Sequence, residues 1–307
     1  MKIAIIGSGG VCGYFGARLA QAGNDVTFVA RGQHLKAMQE NGLFVNSING
    51  DFHLKNVFVT DCITAIDDPD LIIVAVKAWQ VKAIRNDIAQ IIHPNSIVLP
   101  LQNGVLAAEE LCEVIDPEQV LGGLCRIFSK IEKPGVINHM GYKPEIVFGE
   151  KEGGLSSRMQ LLSMLFKDAG IHCKASTDIE ADVWKKFIFI CTSALLALTK
   201  TTYGELRELK ETRQMMVEML NEIFAVSQKA GVNLKPEIVE KTIAVIDTVD
   251  YDSTSSLTRD VWEGKPSEID YQNGTVVKLA DKLGVDAPVN RFIYHSLLPL
   301  EMKARGK

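Results

Sequence analysis

A chain of 307 residues with 47% apolar and 23% charged side chains is long enough for about two domains, each with its own core. Its 33 Lys and Arg against 38 Asp and Glu leave a net charge of −5, so the excess of cations that would neutralise many phosphates is missing and no nucleic-acid partner is expected. The longest apolar run, Phe187 to Leu198, is shorter than the roughly 20 residues that span a bilayer and is interrupted by Thr192 and Ser193, so no membrane partner is expected either.

In chain order, KIAIIG at the N-terminus is a strand, and a helix-like stretch follows to Ala22. VTFVA, LIIVAVK and SIVLPLQ are further short apolar runs separated by amphipathic stretches, the pattern of parallel strands joined by helical crossovers. Their nearly unbroken apolar character fits a parallel sheet covered on both faces. Between them, FVNSINGDFHLKNVFVTD alternates around Asn49-Gly50, which reads as a hairpin or an irregular excursion at the sheet edge. From Val120 to Glu150, strand-like pieces around Pro134-Gly135 and Gly141 read as antiparallel additions to the same sheet. After Lys174 the period becomes helical, over Asp178 to Thr199, Thr212 to Ala230, Pro236 to Val249, Asp270 to Leu283 and Asn290 to Lys303. The expected organisation is an α/β domain over residues 1–177 and an all-helical domain over 178–307. MKIAIIGSGG reaches its glycines before the apolar core of a signal peptide could form, and the six cysteines include no C-x-x-C pair and no His at metal-ligand spacing. A cytoplasmic protein with reduced thiols and no metal is the expectation.

Several groups of residues could carry chemistry. Gly7, Ser8, Gly9, Gly10, Val11 and Cys12 lie between the first strand and the first helix, where glycines permit a tight turn and let backbone N–H groups approach a pyrophosphate at the positive end of the helix. The plainer alternative is a simple tight turn, but strand, turn, helix and second strand within about 30 residues favour a dinucleotide. The third glycine of G-x-G-x-x-G falls at Cys12, with Gly13 one place later. Arg31 ends the second strand, and no acid lies between Val26 and Gln39, which favours a 2′-phosphate and hence NADP(H) over NAD(H); the alternative is a surface arginine. Lys77 and Asn103 follow predicted strands at the edge where open α/β sheets bind ligands; each alone is more often an ordinary loop residue, but together with the glycine turn they read as lining the nicotinamide end of one crevice. Lys186, in Trp184-Lys185-Lys186-Phe187, either snorkels to water or serves as a proton donor. The hydroxyl-rich stretch Ser253 to Asp260 precedes PSEIDY; it reads as a polar loop before a helix capped by Ser267, or as a holder of a small oxygen-rich substrate.

In GSGGVCGYFGARLAQAGNDVTFVAR, VKAWQ, LPLQNGV, KPGVINHMG, VWKKF and SSLTRDVWEGKPSEIDYQNG, the sequence resembles the ketopantoate reductase (2-dehydropantoate 2-reductase) family, in family order and over almost the whole chain. The resemblance implies a Rossmann-like dinucleotide-binding domain followed by a helical domain, and NADPH-dependent reduction of a 2-oxo acid, 2-dehydropantoate to pantoate in pantothenate biosynthesis. It implies Lys186, not Lys185, as general acid, and cofactor contacts at Gly7 to Cys12, Arg31, Lys77, Asn103 and Glu268, with a further one near Phe128. Asn103, Lys186, Ser256 and Glu268 are implied at the substrate, and a homodimer is compatible with the family.

The sequence departs from the pattern where asparagines are expected four and eight residues after the lysine and three before Ser256: these positions hold Ile190, Ala194 and Ser253. A same-family reductase acting on another 2-oxo acid or carbonyl compound therefore stands as an alternative, and so does a non-catalytic NADP(H)-binding redox sensor.

Overall fold

A computed structural model describes residues 1–306. The chain divides into two compact units, Met1–Gln102 with Leu106–Ile179, and Asn103–Val105 with the residues from Glu180 onward.

In the first unit the chain runs through β1 (Lys2–Ile6), α1 (Gly10–Gln21), β2 (Asp25–Val29), α2 (Gly32–Asn41), β3 (Leu43–Ser47), β4 (Phe52–Leu54), β5 (Phe58–Thr60) and β6 (Leu71–Val74). It continues with α3 (Val81–Ile91), β7 (Ile97–Pro100), α4 (Ala107–Cys112), β8 (Gly122–Lys133), β9 (Val136–Gly149), α5 (Ser157–Asp168) and β10 (His172–Ala175). One sheet has the order β5-β2-β1-β6-β7 with every pair parallel. Strand alternation sends Ile3, Ile5, Phe28, Ile73 and Leu99 into one core, and Ala4, Ile6, Val29, Ile72 and Val98 into another. Both faces are thus buried, which is why these strands read as unbroken apolar runs.

The expectation that the 120–150 segment extends this sheet is not met. β8 and β9 form a long antiparallel hairpin in a second sheet, ordered β10-β9-β3-β4, with β8 on β9. The segment's pairing with the first sheet's edge, among the described residues, is an isolated parallel bridge between Val98 and Val120. The reason lies in the burial pattern: Ile137, Ile146 and Phe148 of β9 share a core with Tyr14, Phe15 and Leu19 of α1, so the second sheet covers the α1 side of the first. The Asn49-Gly50 hairpin exists as β3 and β4, but in this second sheet rather than at the edge of the first. Gly50 turns it with φ of 101°, a region glycine enters without Cβ strain, and its N–H donates to Ser47 O at 2.9 Å.

The second unit is helical: α6 (Ile179–Ile190, opening at the boundary), α7 (Thr192–Thr199), α8 (Tyr203–Glu208), α9 (Lys210–Lys229), α10 (Ile238–Thr248), α11 (Ser256–Trp262), α12 (Asn273–Leu283) and α13 (Pro288–Ala304). Its core contains Trp184, Phe187, Leu195, Met216, Leu220, Ile223, Ile293 and Leu297. The helix expected over 178–199 is interrupted at Cys191, where Thr192 Oγ1 donates to Phe189 O at 2.7 Å and so competes for a helical acceptor. The helix expected from Asp270 begins instead as a 3-10 turn, Ile269–Tyr271, before α12. Ser267 caps no helix: it is fully buried and its hydroxyl donates to Glu301 Oε2 at 2.6 Å. No described helix is long and apolar enough to cross a membrane.

Candidate active site

In the first unit the glycine turn is built from backbone alone. Gly7 has φ of 98°, and a Cβ there would lie 2.8 Å from both Val76 N and Val76 Cγ1, so the turn needs glycine on two grounds. A Cβ on Gly10 would meet Ser129 O at 2.5 Å, because β8 passes against the start of α1. Gly9 is different: it precedes α1 in an extended conformation, no side chain caps the helix, and an added Cβ would find no atom within 4 Å. Open space over an uncapped helix N-terminus fits a dinucleotide pyrophosphate.

The other residues of the turn face inward. Ser8 is buried, and both its N–H and its hydroxyl donate to Val29 O, at 3.0 and 2.9 Å, which ties the turn to β2. Val11 is half-buried and packs on the core. Cys12 is fully buried, and the loss of solvent pushes its thiol pKa well up, so it stays protonated as a packing residue. The close approach expected of a third glycine occurs one place later, where a Cβ on Gly13 would lie 2.7 Å from Ile137 Cδ1.

Arg31 is exposed and extended in the position just before α2, at the end of β2. Three residues on, His34 accepts a hydrogen bond at Nδ1 from Gly135 N at 3.0 Å, and burial lowers its pKa, so the neutral ring links α2 to the β8–β9 turn. Nothing in the sequence singled out His34, since its partner lies 101 residues away. Lys77 follows β6; its N–H donates to Gln80 Oε1 at 3.2 Å and its Nζ lies 5.7 Å from the centre of the Trp79 ring. Arg31, the glycine turn and Lys77 therefore share the carboxyl edge of one sheet. Phe128 stands on β8 opposite Met140, 40% exposed, next to the Ser129 that abuts Gly10.

Asn103 groups with the second unit, and there it joins two other candidate residues. Lys186 Nζ donates to Asn103 Oδ1 at 2.8 Å, and Asn103 Nδ2 donates to Glu268 Oε2 at 3.0 Å. Glu268 is only 5% exposed. An ammonium can only donate and a carboxylate can only accept, so the two ends fix which way the amide faces. Lys185 points elsewhere, to Asp182 Oδ1 at 3.0 Å. Ser256 lies outside this chain of bonds as the exposed first residue of α11, whose cap is Ser255. Ile190 is half-buried at the end of α6, and Ala194 is fully buried inside the helical core. Ser253 contributes its carbonyl to Tyr203 N at 3.1 Å.

Against known proteins, the family model for ketopantoate reductase PanE/ApbA matches residues 3–153, and the one for its C-terminal part matches residues 178–301. The chain belongs to the ketopantoate reductase family. It is an oxidoreductase and its cofactor is NADP(H). It is 32% identical to the uncharacterized oxidoreductase YkpB of Bacillus subtilis over 97% of this chain and 98% of that one. It is 29% identical to the 2-dehydropantoate 2-reductase of Nostoc sp., over 99% and 96% of the two chains. A crystal structure of a ketopantoate reductase from Ralstonia eutropha JMP134 superimposes with a TM-score of 0.92 at 30% identity, covering 99% of this chain and all of the other. A D-mandelate dehydrogenase solved with NADH and anilino(oxo)acetate shares the fold, with a TM-score of 0.90 at 24% identity over 99% and 100% of the two chains.

Proposed function

We propose that this reductase converts 2-dehydropantoate to pantoate, a step of pantothenate biosynthesis, with Lys186 as general acid. The observation that carries the reading is the bonded series Lys186, Asn103, Glu268. Bound NADPH supplies a hydride to the C2 carbonyl. As negative charge develops on the carbonyl oxygen, the Lys186 ammonium stabilises it and donates the proton. Asn103 holds Nζ in position, and Glu268 holds the Asn103 amide. Gly7, Ser8, Gly9, Gly10, Val11 and Cys12 form the turn that takes the pyrophosphate, Arg31 takes the 2′-phosphate, and Lys77, Phe128 and Glu268 complete the cofactor contacts. Ser256 takes the substrate carboxylate.

A second reading keeps the reaction and changes the acid. Ile190 lies one helical turn beyond Lys186 on the same face of α6, so an apolar side chain stands where an amide would hold a substrate oxygen. That favours a 2-oxo acid with a more apolar substituent.

The general-acid role is tested by Lys186→Ala, which is expected to slow hydride transfer by about 10² to 10⁴ while leaving NADPH binding nearly unchanged. Lys185→Ala is expected to change little. Stopped-flow single turnovers read both, and a large loss in Lys185→Ala with none in Lys186→Ala would overturn the assignment.

A further inference from the structure

Gln102 lies two residues beyond the end of β7, after Leu101, whose N–H still donates to Val74 O at 2.8 Å. Its side chain is 6% exposed, yet neither Nε2 nor Oε1 has a hydrogen-bond partner among the described residues. A buried amide with both ends unsatisfied is costly and rare in a folded protein, so it is completed either by ordered water or by a group that binds. The sheet order places Arg31, Gly7, Lys77 and Gln102 beyond the carboxyl ends of four successive strands, β2, β1, β6 and β7, with neighbours about 4.8 Å apart. A dinucleotide with its 2′-phosphate at Arg31 and its pyrophosphate at the glycine turn extends along this edge toward β6 and β7, so its nicotinamide end falls on the Gln102 side.

We infer that the Gln102 amide pairs with the carboxamide of the nicotinamide ring and is a positioning residue for the cofactor. The chemistry is complementary: Nε2 donates to the carboxamide oxygen, and Oε1 accepts from the carboxamide NH₂. A carboxylate cannot satisfy both ends, because it has no hydrogen to give Oε1. The inference deepens the NADP(H) assignment and rests on it.

The test is binding, measured from cofactor fluorescence, of NADPH and of reduced 3-acetylpyridine adenine dinucleotide phosphate, which keeps the carbonyl but lacks the NH₂. The wild-type protein is expected to prefer NADPH by about tenfold, the worth of one well-made hydrogen bond, and Gln102→Leu, which removes both bonds, to bind NADPH about a hundredfold more weakly with that preference reduced to near one. Because the substitution removes unsatisfied polar atoms, the Tm of the ligand-free variant is expected to equal or exceed that of the wild type. Gln102→Met, of similar shape, is expected to behave alike. A preference that survives in both variants would overturn the inference, and so would a lower ligand-free Tm, which would mean that the amide is satisfied within the fold by ordered water. Failure of the wild-type protein to bind either nucleotide would instead overturn the cofactor assignment on which it rests.

Discussion

Arg31 is the only Lys, Arg, Asp or Glu in the stretch from Val26 to Leu35, and that stretch holds no carboxylate that would repel a phosphate or accept bonds from a free ribose 2′-hydroxyl. A charge-assisted hydrogen bond contributes about 1.5 to 3 kcal/mol, so Arg31→Ala is expected to raise the Kd of NADPH by roughly 10- to 100-fold and to leave that of NADH within about twofold. Titration calorimetry with both cofactors reads the difference, and equal affinity of the unmodified protein for the two would contradict the role given to Arg31. The role proposed for this position depends on local sequence alone, so it can be stated without knowing any long-range contact. The bonded series was legible only in part. Lys186, Asn103 and Glu268 each stood out, but Asn103 and Glu268 are 165 residues apart, and no local pattern says that they touch. The choice of Lys186 over Lys185 came from family resemblance; their partners, Asn103 and Asp182, supply a physical ground for it.

At the scale of elements, the first sheet was readable because strands buried on both faces leave an unmistakable apolar run, whereas the second sheet depends on which long-range partner β9 finds. The break between α6 and α7 was also hidden, since the apolar period continues through it and only the Thr192 hydroxyl marks the change. The break alters what Ile190 and Ala194 mean. They do not lie on one uninterrupted helical face beside Lys186: Ile190 ends α6 half-buried, and Ala194 is fully enclosed by the core of the second unit. An amide at 194 enters a packed apolar environment. Ala194→Asn is expected to lower stability by about 1 to 3 kcal/mol, the cost of a buried polar group without a partner together with overpacking. Ile190→Asn, at the half-buried end of its helix, is expected to cost less. Denaturant titration orders the two, and the reverse order would show that the core around Ala194 already offers polar partners to the new side chain.

For the whole molecule, each unit has a core of its own, and the division of labour proposed above rests on what each can build. Parallel strands align their carboxyl ends and the N-termini of the following helices, which suits an extended anionic cofactor. Helices present long side chains at defined spacing, which suits a lysine held by an amide and a carboxylate. The cofactor half is recognisable in almost any sequence that carries it. The substrate is not, because a few side chains such as Ile190 can differ from the family pattern without altering the fold. Together these parts reduce a 2-oxo acid at the expense of NADPH. The most direct measurement is the initial rate of NADPH oxidation by the purified protein with 2-dehydropantoate beside pyruvate, a branched aliphatic 2-oxo acid and an aryl 2-oxo acid, with the product identified by mass spectrometry. The account predicts stoichiometric formation of the 2-hydroxy acid, with the highest kcat/KM for 2-dehydropantoate, or for a more apolar acid if Ile190 sets the preference; failure of all these acids to oxidise NADPH would contradict it.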